Sequence, residues 1–168
     1  MSALRISGIV EESVVDGPGL RYVVFTQGCP HRCPGCHNPQ THDPAGGSLM
    51  DSAAIVEQFR ENPLLAGITL SGGEPFLQPA PLCEIAEQVK AGGKTVMIYT
   101  GYTYEQLLRL AGCDAELARL LELADLLVDG PYLEKLRDPD LRFRGSSNQR
   151  ILQLTPDRAE RHALKTAL

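Results

Sequence analysis

Short apolar runs alternate with helical patterns through most of this chain, and that alternation leaves few folds open. Residues 21–27 (Arg-Tyr-Val-Val-Phe-Thr-Gln) are almost continuously apolar, as in a strand buried on both faces. Residues 67–70, 94–100, 125–129 and 149–154 read as further strands. Between them, Asp51 can cap a helix that carries Ile55, Val56 and Phe59 on one face and stops before Pro63. Leu82, Ile85, Ala86 and Val89 fall at helical spacing, with proline at the start of the run and Gly92-Gly93 at its end. Thr103 with Gln106 makes a capping box, and Asp114 opens a further helical segment ending near Leu123. Upstream, residues 4–15 alternate partially and form a strand that leads into the tight turn Asp16-Gly17-Pro18-Gly19, read as a hairpin connection.

Strands alternating with helices imply βαβ units, a mainly parallel sheet and right-handed crossovers. An eightfold barrel typically needs about 250 residues. At 168 residues the expected class is α/β, a partial (open) β/α barrel in a single domain spanning 1–168. In such sheets ligands sit at the C-terminal ends of the strands. Four loops then share one rim: 29–36, 71–75, Thr100-Gly101 and Asp129-Gly130. That convergence says more than any one motif.

The first rim loop is Cys29-Pro30-His31-Arg32-Cys33-Pro34-Gly35-Cys36-His37-Asn38, a C-x3-C-x2-C pattern. Its prolines and glycines keep it out of helix and strand. A disulfide would leave one thiol over. A zinc site could recruit His31 or His37 as a fourth ligand. An iron–sulfur cluster on three cysteines would have one iron without a protein ligand, an open coordination site. The loop alone leaves these readings open.

Composition narrows the function classes. Apolar residues are 43% and charged residues 22%, as in ordinary globular domains. No run is long enough to span a membrane and no signal-peptide pattern stands at the N-terminus, so a cytoplasmic protein is expected. A net charge of −5 argues against a nucleic-acid partner. Arg137, Arg142, Arg144 and Arg150 form the one basic patch, either a solvated face or a docking surface. Cys83 and Cys113 lie in helical patterns and read as core thiols. Residues 155–168 read as a helical tail.

Ser71-Gly72-Gly73-Glu74-Pro75 puts two glycines at a strand end, where backbone can approach a ligand closely, and an anion suited to an ammonium group. Asp129 closes an apolar strand and should meet a hydroxyl, a cation or a ligand. Thr100 is either a site residue or a turn closure.

Cys29-x3-Cys33-x2-Cys36 followed by Ser71-Gly72-Gly73-Glu74-Pro75 resembles the radical S-adenosylmethionine (SAM) superfamily. Asp16-Gly17-Pro18-Gly19-Leu20-Arg21 is similar to the activases of glycyl radical enzymes within it. Val128-Asp129-Gly130 and Arg144-Gly145-Ser146-Ser147-Asn148-Gln149 resemble a narrower group, the activating proteins of anaerobic (class III) ribonucleoside-triphosphate reductase. The resemblance implies a [4Fe-4S] cluster on Cys29, Cys33 and Cys36, with SAM chelating the fourth iron. By similarity Gly72, Gly73 and Glu74 hold the methionine amino end, Ser71 is a further cofactor-binding residue, and Gly35, Cys36 and His37 border the adenine side. Many family members carry an aromatic residue at the position of Gly35. Thr100 and Asp129 match positions that contact SAM or a monovalent cation, Asp16 matches the position that meets the substrate loop, and Arg144, within the Arg137–Arg150 stretch, is a candidate partner contact.

The chemistry so implied is one-electron cleavage of SAM to methionine and a 5′-deoxyadenosyl radical, which takes hydrogen from a glycine of the partner enzyme. An electron donor such as flavodoxin or ferredoxin would supply the electron, and no acid–base catalyst is needed beyond the cluster and SAM site. The alternatives are an activase of the pyruvate formate-lyase type, a radical SAM enzyme acting on a small molecule in the manner of 7-carboxy-7-deazaguanine synthase, and a zinc-binding interaction module.

Overall fold

The computed structural model describes residues 2–154; the tail at 155–168 lies outside the described residues. In chain order the elements are β1 (Ala3–Ser13), β2 (Arg21–Thr26), β3 (Ser48–Asp51), α1 (Ser52–Glu61), β4 (Gly67–Gly72), α2 (Pro79–Ala91), β5 (Thr95–Tyr99), α3 (Tyr104–Ala111), α4 (Ala115–Leu123), β6 (Leu126–Asp129) and β7 (Arg150–Gln153). The strands form one open sheet in the order β3-β1-β2-β4-β5-β6-β7. The pairings β2–β4, β4–β5 and β5–β6 are parallel; β1 and β3 on one side and β7 on the other pair antiparallel. The expected α/β architecture is therefore present, with a parallel centre and antiparallel margins. Among the described residues no helix is long and apolar enough to cross a membrane.

The helices begin where local chemistry allows. The Asp51 carboxylate accepts the Ala53 N–H at 2.8 Å, and Asp114 accepts that of Leu117 at 3.0 Å. Thr103 and Gln106 exchange both bonds of the capping box. Alternation along the strands then splits the sheet into two faces. Ile68 and Leu70 of β4 and Val96 and Ile98 of β5 join Ile55, Leu82, Ile85 and Leu120 in the core beneath the helices. Met97 and Val128 point the other way and form a small cluster with Ile151 on the inner face.

Two features depart from the sequence reading. Strand β3 lies in a stretch for which the sequence suggests no strand. Its four residues are mostly exposed, and it exists because β1 offers a partner edge: Leu4 pairs with Met50 and Ile6 with Ser48. The Asp16–Gly19 turn is more than a hairpin end, since it folds over the inner face. There the buried Arg21 guanidinium donates to Ile68 O at 2.6 Å, Thr95 Oγ1 at 2.7 Å, Thr69 Oγ1 at 3.1 Å and Pro18 O at 3.4 Å. Burial lowers its pKa to about 10, which leaves it charged at neutral pH. The Thr69 hydroxyl passes its own hydrogen to Asp16 O at 2.8 Å, so the sheet itself positions Asp16.

The N-terminus is fastened in the same manner. The Glu84 carboxylate accepts from the Ser2 hydroxyl (2.6 Å), the Ser52 hydroxyl (2.6 Å) and the Ser2 N–H (2.8 Å), which together hold its pKa at about 2, below the ordinary 4.5. A carboxyl with a depressed folded pKa stabilises fully above its unfolded pKa, and that stability fades as pH falls toward the folded value. Ser52→Ala raises the folded pKa. The variant should therefore lose less stability than wild type between pH 6 and pH 3, as read from urea midpoints at the two values.

Candidate active site

β2 and β4 run in parallel register, Phe25 beside Ser71 and Thr26 beside Gly72, and β5 continues it with Ile98 beside Leu70. Their loops consequently leave the sheet at one level. Beyond the strand ends the pairing persists as Gly73 N–H to Thr26 O (2.8 Å) and Glu74 N–H to Gly28 O (2.8 Å). Gly73 permits this approach: a Cβ there would stand 2.3 Å from Gly28 O.

The loops enclose a cavity of about 390 Å³. Of the residues singled out from sequence, Cys29, Cys33, Cys36, His37, Ser71, Gly72, Gly73, Thr100, Asp16 and Arg144 line it. The wall also contains Phe25, Tyr99 and Tyr132, which the sequence reading missed. Strand alternation carried the signal for Phe25 and Tyr99, because both fall on the face opposite the helix-side core. Burial raises the Tyr99 hydroxyl well above its ordinary pKa, and nearby Asp16 adds to the effect. Tyr132 packs against His37 with ring centroids 5.0 Å apart.

Three expected site residues stand outside the wall. Gly35 faces the Glu134 carboxylate. Glu74 is fully buried beneath the cavity. Asp129 is also buried, and its carboxylate accepts from Arg150 Nε (3.0 Å), from Arg150 Nη2 and from the Tyr104 N–H (2.7 Å). Asp129 does meet a cation, but that cation belongs to the chain. Three of the roughly four acceptor sites of the carboxylate are thereby taken by the chain's own donors.

The basic patch is likewise divided. Arg150 also forks onto Glu105, at 2.8 and 3.0 Å, and these bonds lower the Glu105 pKa. Arg142 lies over the Phe143 ring. Only Arg144 reaches the cavity wall, held there by Nη1 on Gln149 O at 3.2 Å.

The three loop cysteines are free thiols, partly exposed, on one cavity. Cys33 and Cys36 are joined by a turn, Cys36 N–H to Cys33 O at 3.1 Å. Burial raises the Cys29 thiol pKa, and the N–H groups of His31 and Arg32 oppose that shift. Among the described residues, no three His, Cys, Asp or Glu side chains gather tightly enough for a single ion. Thiolates are the ligands that iron–sulfur clusters use, and three thiols stand here on one cavity beside a glycine turn.

Comparison with known proteins agrees with this chemistry. A family model of 4Fe-4S single cluster domains matches residues 15–152. The anaerobic ribonucleoside-triphosphate reductase-activating protein of Escherichia coli (strain K12) is 35% identical over 149 residues, covering 84% of this chain and 93% of the relative. The protein of the same name from Enterobacteria phage T4 is 33% identical over 144 residues, covering 82% and 86%. The chain belongs to this radical SAM family. A solved structure, QueE from Escherichia coli, superposes with a TM-score of 0.45 at 18% identity, over 60% of this chain and 54% of that one.

For a radical SAM enzyme, the spacing of β4 from β2 sets where the cysteine loop begins, because Gly28 precedes Cys29. Gly73→Ala forces a Cβ into Gly28 O, so the loop must shift. Overpacking of this kind costs about 1–3 kcal/mol. The variant should unfold at lower urea than wild type and retain less iron and sulfide after reconstitution, as read by denaturation curves and elemental analysis.

Proposed function

We propose that this radical SAM enzyme installs a glycyl radical on anaerobic (class III) ribonucleoside-triphosphate reductase, and that one domain carries the whole activity. The observation that carries the reading is the meeting of three thiols, a glycine turn, Asp16 and Arg144 on one open cavity. Relatives bearing the reductase-activating name, matched over 93% of their length in Escherichia coli, support the choice of partner.

Cys29, Cys33 and Cys36 would hold a [4Fe-4S] cluster, and Ser71, Gly72, Gly73 and Thr100 would border SAM. When bound, the cluster and SAM would supply one-electron cleavage of the sulfonium carbon–sulfur bond, and with it the means of taking a hydrogen atom from the partner's glycine. The chain's own residues orient and enclose. Gly72 and Gly73 leave backbone atoms bare at the cavity wall. Phe25, Tyr99 and Tyr132 give aromatic walls that limit water around the reacting atoms. His37, against Tyr132, offers a ring edge to a flat ligand such as adenine. Asp16, fixed through Thr69, and Arg144, fixed through Gln149, stand at the wall as polar contacts for a peptide loop. An external donor such as flavodoxin or ferredoxin supplies the electron.

The test is anaerobic. The protein is reconstituted with iron and sulfide, reduced, and mixed with SAM and the class III reductase. Formation of 5′-deoxyadenosine together with a glycyl radical signal in EPR is the expected result. Nucleoside formation without a radical on the reductase would move the reading to another glycyl radical enzyme. Cys33→Ala should take up no [4Fe-4S] cluster, because three thiolates are the full protein ligand set; wild-type iron and sulfide content in the variant would refute that assignment.

A further inference from the structure

Glu74 was expected to hold an ammonium group, and its surroundings contradict that role. The side chain is 0% exposed. Its carboxylate accepts from the Thr100 hydroxyl, 2.9 Å from each oxygen, from the Gly101 N–H at 3.0 Å, from the Phe76 N–H at 3.1 Å and from His31 Nε2 at 2.6 Å. An ionised carboxylate has only lone pairs to offer, roughly four sites, so Nε2 must carry the hydrogen and the acceptor is filled. These donors come from three loops, those following β2, β4 and β5.

His31 stands between Cys29 and Cys33. The base of the cysteine loop is tied by backbone, Gly28 N–H to Thr41 O (2.7 Å) and Cys29 N–H to His42 O (3.2 Å). Among the described residues, the bond from His31 to Glu74 is the hydrogen bond that ties 30–35 to the other loops. The imidazole packs edge-on against Tyr102, centroids 4.5 Å apart. It also lies so close to Gly101 that a Cβ there would be 2.4 Å from the ring. The pocket around His31 is closed on three sides, by an acid, an aromatic ring and a glycine.

We infer that Glu74 is a positioning residue: through His31 it pins the cysteine loop to the β4 and β5 loops, and it does not touch the amino group of SAM. The geometry stands without any ligand, while its consequence for a cluster rests on the radical SAM reading above.

The test uses reconstituted wild type, His31→Ala, Glu74→Ala, Glu74→Gln and the double alanine variant. Cluster loss to a chelator is followed by absorbance, and SAM affinity by equilibrium dialysis. Removing a side chain that orients metal ligands typically costs 10- to 100-fold in retention. His31→Ala and Glu74→Ala should each speed cluster loss by roughly tenfold or more, and the double variant should be no faster than Glu74→Ala, because both singles break one link. Glu74→Gln should lose cluster at a rate between wild type and Glu74→Ala: its amide can donate to Nε2 of the other tautomer, but the amide nitrogen then meets the Gly101 N–H donor to donor. Wild-type cluster retention in His31→Ala overturns the inference. Weakened SAM binding in both Glu74 variants, with cluster loss unchanged, overturns it as well and makes Glu74 an ammonium ligand.

Hydrogen exchange on the full metal-free chain separates this inference from the parent reading. Faster exchange across 29–37 in His31→Ala than in wild type supports the link even if the wild-type protein takes up no cluster, an outcome that would sink only the radical SAM reading. Equal exchange in wild type and His31→Ala overturns the link. Should Glu74→Ala fail to fold, His31→Ala and Glu74→Gln carry the comparison alone.

Discussion

The site depends on how closely β4 approaches β2 once both have stopped being strands. Parallel pairing normally ends with the ladder, but here two more backbone bonds carry it into the loops, from Gly73 to Thr26 and from Glu74 to Gly28. The cysteine loop and the glycine turn thereby share one frame. A slip of one residue in that register would send Ser71 toward the helices and bring Leu70 to the cavity side. The apolar contacts of Ile68 and Leu70 beneath the helices are thus what keep Ser71 and the glycines on the functional side.

On the inner face the chain supplies its own filling. Helices cover one side of the sheet, while the other carries a buried guanidinium, Thr69 and the turn that brings Asp16 to the cavity. Among the described residues the Arg21 guanidinium donates to hydroxyls and carbonyls and to no carboxylate, which satisfies its donors while leaving a positive charge inside. A buried charge is tolerable on such terms because each N–H has an oxygen to meet. Asp129 solves the mirror problem at the end of β6, with Arg150 from the neighbouring strand as its counter-charge.

Most of the fold was legible because its signals are local. Asp51, Thr103 and Asp114 announce helix starts, and the apolar runs announce buried strands. Strand β3 was not, because Ser48–Asp51 owes its conformation to a partner more than forty residues upstream (Ala3 pairs with Asp51). The cavity residues fall under the same rule. Cys29, Cys33, Cys36, Gly72 and Gly73 could be placed by spacing and loop position. The directions of Glu74 and Asp129 could not, since each depends on a side chain far along the chain, His31 in one case and Arg150 in the other. A carboxylate at a strand end reads alike whether it faces a ligand or turns inward toward the chain's own donors.

The wall built from residues 130–149 has a different construction. Between β6 and β7 the segment makes little regular ladder, and polar side chains shape it instead. Gln149 Oε1 accepts the N–H groups of Gly145 and Ser146, its amide reaches Gly130 O, and Asn148 donates to Pro131 O. All of these partners lie between Gly130 and Gln149. The cysteine loop, by contrast, is anchored across separate parts of the sequence. One face of the cavity is therefore a contiguous cassette that a single recombination event can exchange whole, while the other can change only by coordinated substitutions at scattered positions.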